Sequence, residues 1–72
     1  MSIASEVYTR LGEEAVEAWT SLRKRYEEVK KEMVNGVDEL ERDKLLKEIG
    51  SLGRAINQIE EEAGIPAKNR TS

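Results

Sequence analysis

The chain has 72 residues, 38% of them charged and 38% hydrophobic, a net charge of −3, and neither cysteine nor histidine. That combination removes disulfides, thiol nucleophiles, thiolate or imidazole metal sites and the usual neutral-pH proton shuttle. A single domain of this size buries only about 60% of its unfolded surface, so association with other chains is the stabilising route left open.

The charge is mixed in sign rather than basic, which argues against a polybasic nucleic-acid binder. Apolar residues never run beyond two or three in a row, so neither a membrane span nor a secretory leader is expected. The setting expected is cytoplasmic, either host cytoplasm or the interior of a virion, with no membrane contact.

From the N-terminus, Ser2 can cap a helix that the pattern extends over residues 3–34. Ala4, Tyr8, Leu11, Ala15, Ala18 and Leu22 recur at steps of four and three, and Ile3, Val7, Val16 and Trp19 widen that stripe. Tyr26, Val29 and Met33 follow after one extra residue, which reads as a stutter that locally unwinds a supercoil. Asn35-Gly36 then stops the helix, with a turn expected over 35–37.

A second helix is expected over 38–63, opened by Asp38 with Glu41 three residues later in the manner of a capping box. Its apolar seam, Leu45, Ile49, Leu52, Ile56, Ile59 and Ala63, keeps a coiled-coil rhythm for almost three heptads. Ala63-Gly64-Ile65-Pro66 is a glycine stop followed by a residue that cannot continue a helix, and Ile65 should fold back near Ile59. Residues 67–72 form a short basic, polar tail.

A turn this short forces the two helices antiparallel. The fold expected is therefore all-α, a coiled-coil-like two-helix hairpin over residues 1–66, completed by oligomerisation. Zipped from the turn, it sets Leu22 opposite Gly50 and Trp19 opposite Gly53, where an indole would fill the room the glycines leave.

Carboxylates gather at Glu13, Glu14 and Glu17, at Glu27 and Glu28, and at Glu60, Glu61 and Glu62. A two-helix hairpin has no deep cleft to raise one of their pKa values, so these clusters read as solvated faces. Pairs at four-residue spacing, Glu6 with Arg10, Glu27 with Lys31, Asp43 with Lys47 and Lys44 with Glu48, would decorate them. No catalytic, cofactor-binding or metal-ligating residue is expected.

Arg23, Lys24 and Arg25 are the densest basic cluster and the candidate nucleic-acid contact, with Lys68 and Arg70 adding charge in the tail. Glu27, Glu28 and Glu32 lie within two turns of them and disfavour that role. The apolar stripe is broader than one partner helix can cover, and Leu40 and Leu46 leave its line. The candidate protein interface is Tyr8, Leu11, Val16, Trp19, Leu22, Leu52, Ile56 and Ile59.

The segment Ser51-Leu52-Gly53-Arg54-Ala55-Ile56-Asn57-Gln58-Ile59-Glu60-Glu61-Glu62-Ala63-Gly64-Ile65, followed by Lys68 and Arg70, resembles the second helix and basic tail of small head-tail joining proteins of tailed phages, the gpW type. Glu14 to Leu22 looks like that family's first helix. The family places a β-hairpin between its helices, whereas Arg23 to Met33 here is charged helix. The resemblance implies a class of function: a small, non-enzymatic virion component, head-tail or capsid, bound to itself or to a larger protein assembly. A small regulator that binds and inhibits a host or phage enzyme is the alternative, and a nucleic-acid-binding accessory factor the second.

Overall fold

The structure is a computed structural model that describes residues 2–70. It is all-helical, with α1 at Ile3–Leu11, α2 at Glu13–Val34, α3 at Glu39–Glu62 and a single 3-10 turn at Ala67–Asn69. Residues 71 and 72 of the expected tail lie outside the described residues. No described helix is long and apolar enough to cross a membrane.

The helix expected over 3–34 is two helices, because Gly12 has φ 100° and ψ −179°. That is a region essentially closed to residues with a Cβ. The Gly12 N–H donates to the Tyr8 carbonyl at 3.0 Å and the Val7 carbonyl at 3.3 Å, closing α1, while its own carbonyl accepts from Val16 N–H at 3.3 Å, opening α2. One residue thus satisfies backbone groups of two helix ends. Flanking charges agree with this division, with Arg10 in the last turn of α1 and Glu13 and Glu14 in the first turn of α2.

The break also resets the buried line. Val7 and Trp19 are buried, whereas Tyr8 and Ala18, the expected seam positions, are exposed. Counted from Ala15 through Trp19, Leu22, Tyr26, Val29 and Met33, the steps are four and three without interruption, and each of these residues is buried or half-buried. The expected stutter therefore falls away: it arose from placing the small Ala18 in the seam where the larger Trp19 belongs. The discontinuity in the chain lies at Gly12.

Helix α3 keeps its expected boundaries to within a residue. The Asp38 carboxylate accepts from Glu41 N–H at 2.8 Å, as Ser2 Oγ accepts from Ser5 N–H at 3.2 Å at the start of α1. At the other end Gly64 has φ 80°. Ile65 N–H donates to the Glu60 carbonyl at 2.9 Å and Gly64 N–H to the Glu61 carbonyl at 3.0 Å, the paired bonds of a glycine-terminated helix. Every seam residue from Leu45 to Ala63 is buried or half-buried.

Helices α2 and α3 form the most extensive packing, and α1 lies against both. The molecule is elongated, 41 × 21 × 17 Å. Val7, Ala63 and Ile65 form a buried cluster, with Ile3, Ala15, Val16 and Ile59 packed on it. The Ile65 fold-back expected from the glycine stop is thus the centre of the core where α1 meets the end of α3. Trp19, Val29, Leu45 and Ile56 are buried along the rest of α2 and α3.

Glu60 departs from the expected solvated face, being fully buried beside that cluster, while Glu61 and Glu62 are exposed. The helical period explains the split, since Glu60 follows Ile56 and Gly53 on the buried side. None of the four expected pairs at four-residue spacing is closed. Glu48 instead accepts from Arg25 Nε at 2.5 Å across the α2–α3 contact. The tail is likewise held: Arg70 Nε donates to the Ile65 carbonyl at 2.9 Å and its Nη1 to Asn57 Oδ1 at 3.5 Å.

Candidate protein interface

The eight candidate interface residues divide into three groups. Trp19 and Ile56 are covered within a single chain and serve its own core. Val16, Leu22, Leu52 and Ile59 are half-buried along the seams. Tyr8 is 60% exposed and Leu11 37% exposed on the outer side of α1.

The other large apolar side chains left exposed lie away from these eight, two of them near the other end of the molecule. Val34, the last residue of α2, is 84% exposed, and Leu40, in the first turn of α3, is 71% exposed. Leu46 is 48% exposed between the two ends. Leu40 and Leu46 were legible as residues outside the seam of α3. Val34 was not, because it directly follows Met33 in the line of α2 and the helix ends beneath it.

Shallow grooves lie elsewhere on α2 and α3. One of 440 Å³ is lined by Tyr26, Ile49, Gly50, Gly53, Arg54 and Asn57. At Gly50, the residue expected opposite Leu22, a Cβ would meet nothing within 4 Å. Both members of the expected Trp19 and Gly53 pairing are buried. Another groove, of 380 Å³, is lined by Trp19, Thr20, Arg23, Lys24 and Glu27 on α2.

The basic cluster is not three free cations. The Arg23 guanidinium lies 5.1 Å from the centroid of the Trp19 ring, a cation–π contact. Arg25 is bonded to Glu48 and, at 3.5 Å, to Glu28. The Glu48 hydrogen bond raises the Arg25 pKa, and the same bond holds the Glu48 carboxyl below its ordinary value of 4.5. Only Lys24 stands exposed and uncommitted, which takes away the clustering that a phosphate contact would need.

At this cation–π contact two donors are sealed from solvent. Trp19 Nε1 and Arg23 Nε are both buried and have no hydrogen-bond partner. Among the described residues no group of three or more carboxylates is placed to hold a metal ion. The arrangement offers apolar contact, hydrogen-bond donors and charge on helical faces. Compared with protein families, curated proteins and solved structures, the chain finds no match.

Proposed function

We propose that this chain is a non-enzymatic assembly protein that acts by helix–helix contact with copies of itself or with a larger protein complex. In this reading α2 and α3 form an antiparallel hairpin, with α1 as a short brace across its open end. One observation carries the proposal: Tyr8, Leu11, Val34, Leu40 and Leu46 stay exposed on a chain of only 72 residues. Apolar side chains that gather into a patch, unlike ones scattered singly, mark a contact surface, and Val34 and Leu40 both flank the short connection between α2 and α3.

The class of assembly follows from the resemblance to head-tail joining proteins of tailed phages, and a place in a virion is accordingly part of the proposal. Co-purification with capsid or tail proteins is the outcome it expects. Stoichiometric capture of a single enzyme would replace it with the regulator reading. The mass of the purified protein in solution tests the oligomer directly, since a species that stays at 8.2 kDa at every concentration contradicts self-association.

A further inference from the structure

The connection between α2 and α3 brings together two groups that can react with each other. Asn35 is the C-cap of α2, with φ −75° and ψ −2°, and Gly36 follows it at φ 89°. Both residues are exposed. Among the described residues neither the Asn35 side-chain amide nor the Gly36 N–H forms a hydrogen bond. A backbone nitrogen without a partner thus directly follows a side-chain carbonyl without one, and glycine puts no Cβ in the way of their approach.

Ring closure between the two groups needs Asn35 to turn about its Cα–C bond. The bond that ends α2, from Asn35 N–H to the Lys31 carbonyl at 3.0 Å, lies on the N-terminal side of that rotation and stays in place. Gly36, which tolerates either sign of φ, can absorb the change before Asp38 anchors α3 through Glu41 N–H. The other two asparagines lack these conditions. Asn57 lies inside α3 with Gln58 after it, and its Oδ1 accepts from Arg70 at 3.5 Å. After Asn69 the nitrogen that would attack is committed, since Arg70 N–H donates to the Ala67 carbonyl at 3.3 Å.

We propose that Asn35 is a site of spontaneous modification, deamidated through a cyclic imide. The Gly36 nitrogen gives its proton to solvent and bonds to Asn35 Cγ. The Cγ–Nδ2 bond breaks, and the amide nitrogen takes up a proton and leaves as ammonia. Water then opens the ring at either carbonyl, giving aspartate, or isoaspartate in which the main chain runs through the former side chain. The product adds one negative charge to the net −3, at the C-terminal end of α2, where the helix field disfavours it. The new carboxylate directly follows Val34, on the end where Val34 and Leu40 stand exposed. Under the self-association proposed above, which the modification itself does not require, aged copies would associate more weakly through that end.

The test is incubation of the purified, folded protein at physiological temperature across a series of mildly alkaline pH values. Mass spectrometry of the peptide that contains Asn35 and Gly36 reads the product. A synthetic peptide of residues 31–40, too short to hold a helix alone, gives the rate without the fold. Asn35 in the folded protein should convert to aspartate and isoaspartate, faster as the pH rises, and within about tenfold of the peptide's rate, as a connection that opens at little cost allows. Asn57 and Asn69 should keep their amides. Gly36→Ala should slow the conversion several-fold, and Asn35→Ser should abolish it.

A folded protein that keeps the Asn35 amide while the peptide converts overturns the proposal, because the connection is then locked. Conversion of Asn57 or Asn69 as fast as Asn35 overturns it too, because the fold would not be selecting the site. Light scattering of Asn35→Asp beside wild type reads the consequence. Weaker association supports the effect on assembly, and an unchanged mass from an oligomeric wild type overturns that effect alone. A wild type that is monomeric throughout overturns the self-association beneath it, while the mass spectra decide the modification independently.

Discussion

At the scale of single residues, Gly12 and Gly50 make opposite predictions although both interrupt helical patterns. Gly12 sits at φ 100° with open space where its Cβ would go, so Gly12→Ala suffers only from backbone strain, about 1–3 kcal/mol. Gly50 is helical and equally open, so Gly50→Ala should stabilise the chain by about 0.5–1 kcal/mol. Urea denaturation of the two variants beside wild type checks both signs. Glu48 offers a pH test. Its carboxyl is held below 4.5 by Arg25, so its contribution is fully present above that value and is lost as the pH falls through the lowered folded value. Glu48→Gln should therefore melt below wild type at neutral pH, and the gap between their midpoints should close progressively as the pH drops beneath 4.5.

At the scale of elements, the legible parts were those where several local signals agree. Asp38 with Glu41, and Gly64 with Ile65 and Pro66, each combine a capping residue with a partner at a fixed offset, and both ends of α3 follow from them. The break at Gly12 was harder to see because Gly12, Gly50 and Gly53 look alike inside apolar periodic stretches, while only the first has a positive φ. A signal was present in the flanking charge, Arg10 before the glycine and Glu13-Glu14 after it, the arrangement of one helix ending and another beginning. Missing it carried the phase of α1 into α2 and put Ala18 where Trp19 lies. The burial of Glu60 was overlooked for a different reason: Glu60, Glu61 and Glu62 are the same residue type in a row, and only the helical period, which sets Glu60 four residues after the buried Ile56, distinguishes the first. The glycine stop carries its own prediction. Ile65 is 6% exposed in the cluster with Val7 and Ala63, so Ile65→Ala should cost about 2–4 kcal/mol, read as a lowered thermal midpoint.

At the scale of the whole molecule, the best-buried cluster and the most exposed apolar side chains lie in different places. The buried cluster of Val7, Ala63 and Ile65 lies where α1 braces the end of α3, while Val34 and Leu40 flank the connection at 35–38. These last two side chains do little for the folded monomer. The double variant Val34→Ser with Leu40→Ser should thus change unfolding stability by no more than about 0.5 kcal/mol per site. If that end is a contact surface, the same variant should reduce association, so denaturation and mass measurements together separate folding from assembly. The central claim is that this chain has more apolar helix surface than one copy hides. Light scattering across a concentration series tests it most directly: the account predicts a mass that rises to a defined multiple of 8.2 kDa, and a cooperatively melting species that remains at the single-chain mass at the highest concentration would contradict it.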